Sequence, residues 1–442
     1  MATETPWNPI KLWAHHKAAT VGGALITALA IAASLDLILE GSTVIAGIAV
    51  LLSIAWGVIA AHLMASSRRA EAVLLMIVLV LAGLVILSGP VRPKIYGTPA
   101  HDIPDIVGRI GDRNGDETLT QVTVFYATDR SRSPGDTVQY EATRNATETL
   151  ALGHIVVGVP KDHRLGNIDR PSIWTLYRED PEKHFIVLDG EQLTYETFYE
   201  RIRMRVGESA VKQAFVFVHG FNVTFMDAVY RTAQMAYDLS FDGAPILYSW
   251  PSAASLTPIG YTTDVGNSYW TVEHLRWFLE DVAAKSGAQR IHLIAHSMGN
   301  KALVDTLNRM PRLRKKRFSQ IMLTAPDIDA ATFIQLAGAI KDHGQMTTLY
   351  TSANDAALLA SKKLQAYRRA GDTRGGVVIV PGIETVDVSA VDTNFVGHFY
   401  YGDNRSVLSD MFLILTQSLP ASKRPTLRPE GKPPEQFWRF AQ

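Results

Sequence analysis

Ser297 stands in the run IHLIAHSMGN, residues 291–300, where a segment of buried-strand character meets a helix start. The residues two before and two after it, Ala295 and Gly299, are small. This is the pattern of a nucleophile elbow. A hydroxyl is a poor nucleophile unless it is held clear of its surroundings, beside a base, with backbone N–H groups aimed at the oxygen that becomes negative. A sharp strand-to-helix turn supplies that exposure, and the crowding it causes is tolerable only between small neighbours. The pattern here is A-x-S-x-G, with alanine in the place of the first glycine. His296, next to the serine, is expected to point into the elbow in a structural role.

Upstream, the strand Ala214 to Val218 runs into His219-Gly220-Phe221-Asn222, one strand-helix-strand step before the elbow. That is the position of an oxyanion loop, with one donor from the backbone after the nucleophile, Met298, and the other from Phe221. Gly220 would let the loop backbone approach a substrate. Trp250, in Ser249-Trp-Pro-Ser252 at the next strand end, is a candidate for lining the acyl pocket or for packing beneath it.

A base and an orienting acid should follow the serine, acid first. Residues 346–355 read as a strand ending in a polar turn that carries Asp355, and residues 385–391 read as the last strand, with Gly397-His398 on the loop before a final helix starting near Asp403. Asp355 is therefore the candidate acid and His398 the candidate general base, taking the Ser297 proton during attack and returning it to the leaving group. Asp327, at the end of the strand Ser319 to Thr324, is the competing acid, whereas His343 sits at a helix end facing the wrong edge.

These blocks, together with FYATDR (125–130), YSWP (248–251), APDID (325–329) and SAND (352–355), resemble the α/β-hydrolase superfamily. More narrowly, they resemble the bacterial esterase- and lipase-like proteins grouped as domain of unknown function 900. The resemblance spans about residues 120 to 415 and implies a mostly parallel sheet with helices on both faces, with Ser297, Asp355 and His398 as its triad. It leaves the role of Thr128-Asp129-Arg130 open.

Three apolar stretches precede any catalytic signal, at about 18–38, 43–64 and 72–88. Each has the length expected of a membrane helix, and three in succession argue against a cleaved signal peptide. Residues 1–89 are thus expected to form a membrane anchor, with the bilayer as a partner. Lys11, Lys17, Arg68 and Arg69 outnumber Arg92 and Lys94, which predicts a cytoplasmic N-terminus, a multi-pass inner-membrane protein and an extracytoplasmic hydrolase domain. A proline-rich linker at 90–118, a hydrolase domain at 119–418 and a proline-rich, basic tail at 419–442, extended and mobile, complete the expected organisation.

Lys plus Arg and Asp plus Glu balance at 43 each over 442 residues, so no global field attracts nucleic acid. There are no cysteines, and metal-binding, Walker and dinucleotide signatures are absent, so neither metal nor cofactor is expected. The function that follows is hydrolysis of a carboxyl ester, of a small molecule or a lipid, through an acyl-enzyme. Thioester, amide or peptide cleavage on the same triad, and an inactive membrane-anchored binding scaffold, are the rivals. Nothing in the sequence sets an oligomeric state.

Overall fold

The computed structural model describes residues 119–135, 138–147, 149–168, 180–312, 316–391 and 404–441. From Gln213 onward, short β-branched and aromatic runs alternate with amphipathic helices, the pattern of parallel strands joined by right-handed crossovers. The strands are β1 Leu119–Thr128, β2 Arg130–Arg132, β3 Tyr140–Arg144, β4 Ala151–Pro160, β5 Ile186–Leu193, β6 Gln213–Val218 and β7 Ala244–Ser249. They continue as β8 Arg290–His296, β9 Phe318–Thr324, β10 Gly344–Thr351, β11 Glu384–Asp387, β12 Leu427–Glu430 and β13 Phe437–Phe440. The helices are α1 Tyr195–Glu208, α2 Phe225–Asp238, α3 Pro258–Trp270, α4 Val272–Lys285, α5 Gly299–Arg309, α6 Ala330–His343, α7 Ala356–Gln365 and α8 Arg405–Gln417.

Eleven of these strands form one sheet in the order β12-β13-β11-β10-β9-β8-β6-β7-β1-β4-β5. From β13 to β1 all neighbours are parallel, and antiparallel pairs close both ends. β2 and β3 pair as a separate hairpin. Alternation along each strand divides the core between two faces. In β6, Ala214, Val216 and Val218 pack with α1, α4, α5 and α6, whereas Phe215 and Phe217 pack with α2 and α8.

The chain builds β6, adds β7 on one side of it and then places β8 on the other. Strand order therefore reverses at the β6–β8 boundary. In open α/β sheets the crevice beyond the carboxyl ends of the strands at such a reversal is where ligands bind.

Two expectations change. Among the described residues no helix is long and apolar enough to cross a membrane. That finding overturns the expected three transmembrane helices, the multi-pass inner-membrane location with its sidedness, and the bilayer as a partner. The longest described helices have 14 residues, or about 21 Å, against roughly 30 Å of hydrocarbon. The stretches at 18–38, 43–64 and 72–88, and the linker at 90–118, lie outside the described residues. The second change concerns residues 419–442, expected to be extended and mobile. Within them β12 and β13 pair, and β13 joins the main sheet beside β11. Ion pairs hold this segment, the buried Arg424 on Asp410 at 2.6 Å and the partly exposed Arg439 on Asp387 at 3.0 Å.

Candidate active site

Ser297 occupies the single step between β8 and the Met298 cap of α5. Its backbone is left-handed, with φ of 51°, a conformation that costs a non-glycine residue on the order of 1 kcal/mol or more and persists only when its surroundings impose it. The surroundings are specific. Ser297 N donates to Thr324 O at 3.0 Å, and Ser297 O accepts from Asp327 N at 3.2 Å and Asn300 Nδ2 at 3.0 Å. Asn300 Nδ2 also reaches Thr324 O at 3.0 Å, tying the elbow to the end of β9.

The elbow is pressed against the loop that follows β6. A Cβ added at Gly220 would stand 2.8 Å from the Ser297 Cβ, and one at Gly299 would stand 2.3 Å from His219 O and 2.6 Å from Val218 O. Only glycine fits at either place. Asn222, with φ of 57°, turns the loop back toward α2. Among the described residues no backbone acceptor takes the amides of Phe221 or Met298. The two N–H groups named from the sequence as oxyanion donors are thus carried on segments in van der Waals contact.

His219 does not face a substrate. It is buried, stacks on Trp250 with ring centroids 5.1 Å apart and 12° between planes, and holds Gly220 O with Nδ1 at 2.9 Å. Trp250 is also fully buried, and its indole N–H donates to His219 O at 2.7 Å. The pair braces the loop from beneath. Arg130, buried at the start of β2, completes the brace. Its Nε donates to Ser249 Oγ at 2.9 Å, Nη1 to Ser252 O at 3.2 Å and Nη2 to Val223 O at 2.8 Å, and Nη2 lies 3.3 Å from His219 Nε2. A guanidinium only donates, so Nε2 is the acceptor and Nδ1 carries the ring proton. Burial, reinforced by Arg130, pushes the His219 pKa down to about 3. Burial also draws the Arg130 guanidinium down to about 10, against the pull of Asp129, Asp264 and Asp227.

On the other side of the elbow, Asp355 caps α7, its Oδ1 accepting from Leu358 N at 2.9 Å, and it is fully buried. Asp327 is buried too, but both of its oxygens are engaged. Oδ2 accepts from Tyr261 OH at 2.9 Å, and Oδ1 accepts from Ser361 Oγ with Arg369 Nε 3.6 Å away. Tyr261 belongs to α3, and its ring meets Phe221 edge-on at 5.4 Å. The Ala253 to Trp270 connection thus contains a helix anchored between the loop after β6 and the Asp327 turn. His296 is buried beside Gly220. His398 lies outside the described residues. No cluster of metal-ligating side chains occurs among the described residues.

Residues 195–417 match the family described as alpha/beta hydrolase of unknown function, DUF900. The chain belongs to this family. No curated protein matches the sequence. Among solved structures, this α/β hydrolase is similar to MenH from S. aureus at 12% identity, covering 47% of this chain and 94% of that one with a TM-score of 0.28. It is similar to esterase B from Lactobacillus rhamnosis at 11% identity, covering 70% and 90% with a TM-score of 0.30. A cold-adapted esterase from an Arctic intertidal metagenomic library matches at 11% identity, covering 70% and 99% with a TM-score of 0.31. Likenesses of this size say nothing about the reaction.

Several residues that shape the site in this α/β hydrolase were not singled out from the sequence. Asp264, buried on α3, accepts from Ser252 Oγ at 2.6 Å and Asn222 N at 3.4 Å, joining the loops after β6 and β7. Asn300 and Thr324 fix the elbow from behind. Arg130 lay in a motif that sequence reading marked without a role. Its partners are 89 or more positions away in the chain, apart from Glu141 O and its near neighbours, so no local spacing could reveal them.

Proposed function

We propose that this α/β hydrolase cleaves carboxyl esters through an acyl-enzyme on Ser297. The observation that carries the reading is the left-handed Ser297 at the β8–α5 step, in contact with Gly220 at the point where strand order reverses. A serine so placed has its own backbone strained away from the helix and two amide donors on adjoining segments. In the proposed cycle, Ser297 Oγ attacks the ester carbonyl carbon, and the carbonyl oxygen takes the negative charge under the Phe221 and Met298 amides. Such donors contribute on the order of 3 kcal/mol each to the transition state.

His398 is the proposed base, removing the Ser297 proton and passing it to the leaving alkoxide, and Asp355 is the proposed partner that orients it. Water then repeats the sequence on the acyl-enzyme. One feature speaks against Asp327 as the acid: both of its oxygens are divided among Tyr261, Ser361 and Arg369.

The test is labelling of the purified full chain with a fluorophosphonate, alongside Ser297→Ala and His398→Ala, with matched ester, thioester and amide substrates run in parallel. Labelling that disappears in Ser297→Ala and is strongly slowed in His398→Ala, with the ester turned over fastest, is the expected result. A folded wild-type protein that stays unlabelled while a control hydrolase reacts would overturn the assignment.

A further inference from the structure

Away from the elbow, a cavity of about 330 Å³ opens where β4 and β5 meet α1 and α4. It shares no lining residue with the elbow or the His219–Asn222 loop. In the sheet, β6, β7 and β1 separate β8, which carries Ser297, from β4. The floor is apolar, with Leu150, Leu152, Leu193 and Phe278, and the walls are the rings of Tyr195, Tyr199 and Trp277. Trp277 is 50% exposed at the rim.

A single histidine lines this space. His274 turns Nδ1 back to Asp129 Oδ2 at 3.0 Å, and that fully buried carboxylate oxygen also accepts from Thr271 Oγ1 at 2.5 Å and Tyr248 OH at 3.2 Å. A carboxylate only accepts, so the imidazole holds a proton on Nδ1, and when that is its only proton it offers Nε2 as an acceptor. Trp270 and Trp277 flank the ring with centroids 4.7 and 5.8 Å away, which fixes its plane. This is the Asp129 that sequence reading left without a role.

The charges around the cavity select what it holds. Lys285 Nζ already lies over the Tyr195 ring at 4.5 Å and near the Tyr199 ring at 5.8 Å, so the negative faces that would attract a cation are taken. Asp281, on the wall, and Asp129, behind His274, oppose an anion. A neutral ligand remains. Asp281 is spent on Tyr195 OH and Lys285, and Gln192 Oε1 on Arg132, while His274 Nε2 is a buried acceptor. A sugar, with a hydroxyl on nearly every carbon, would lose more water contacts than such a lining restores. A flat ring with one hydroxyl would not.

We propose that this cavity is a binding site for a neutral phenol, its ring between Trp277, Tyr199 and Phe278 and its hydroxyl donating to His274 Nε2, with Asp129 as the positioning residue behind the imidazole. The volume is at the lower end of small-molecule sites and suits one substituted ring.

The experiment is calorimetric titration of the full chain with p-cresol and with p-methylanisole, which keeps the ring and lacks the donor hydroxyl. Saturable p-cresol binding, about tenfold weaker for p-methylanisole, is expected. The same loss is expected on p-cresol binding in His274→Phe, about fivefold in Trp277→Ala, and no change in Ser297→Ala. Near-UV dichroism checks the fold of each variant. If His274→Phe does not fold, the half-exposed Trp277→Ala and the ratio of the two ligands decide. Equal affinity for both ligands, no saturable binding, glucose binding more tightly than p-cresol, or binding that vanishes in Ser297→Ala would overturn the proposal.

Discussion

The indole N–H of Trp250 donates to the carbonyl of His219 at 2.7 Å, so the loop carrying Phe221 rests on a side chain from the neighbouring strand end. Trp250→Phe keeps an aromatic face for His219 and leaves a buried carbonyl without its donor. A loss of about 1–2 kcal/mol is expected in urea unfolding, together with a fall in kcat for ester hydrolysis larger than any change in KM. A stability loss with kcat untouched would mean that the brace does not reach the site.

Gly299 and Gly338 give a matched pair. A Cβ at Gly299 meets two backbone carbonyls, whereas one at Gly338, on the exposed side of α6, meets nothing within 4 Å. Gly299→Ala is expected to abolish measurable hydrolysis and lower the unfolding midpoint. Gly338→Ala should leave hydrolysis intact and raise stability by up to about 1 kcal/mol. Thermal melts and initial rates on both variants check this.

Asp355→Asn and Asp327→Asn separate the two candidate acids. On the proposed mechanism, Asp355→Asn lowers kcat by about 10³–10⁴-fold through the wrong imidazole tautomer. Asp327→Asn weakens the Tyr261 and Ser361 contacts that hold α3 and α7 together, and its cost should fall mainly on stability and KM. The reverse order of kcat losses would transfer the acid to Asp327.

Acid should destabilise this protein through two buried histidines. Burial pushes both His219 and His292 down to about 3, from an ordinary value of 6.5. Between those values the unfolded chain binds protons that the folded chain refuses, so stability is full above about pH 6.5 and declines as pH falls toward 3. Urea midpoints measured across that window should drop steadily. His292→Gln should flatten the slope, since it removes one of the groups that burial lowers. An unchanged slope would assign the acid lability elsewhere.

The elbow and the loop after β6 were legible because their chemistry imposes small residues at fixed offsets from a strand end, as at Ala295, Gly299 and Gly220. The position of Asp355 just beyond a strand end was legible for a related reason, a carboxylate in a polar turn closing an apolar run. What stayed hidden depends on distant partners. Arg130 reads as an ordinary charge until Val223, Ser249 and Ser252 are brought around it. The proline-rich and basic composition of 419–442 suggested a mobile tail, yet Arg424 finds Asp410 and Glu384, and Arg439 finds Asp387. Composition records that charges exist, and only the fold pairs them. The hydropathy of the N-terminal stretches suggested an anchor for the same local reason.

The parallel pairing of β13 with β11 has a consequence for biosynthesis. On the ribosome, β11 emerges about fifty residues before the strand that covers its flank. During that interval the nascent sheet carries an open edge of unpaired amides and carbonyls, the kind of surface on which chains stick to one another. A nascent chain released early, before Phe437 to Phe440, would keep this edge. Its yield in a cell should therefore depend on chaperones far more than that of the finished chain.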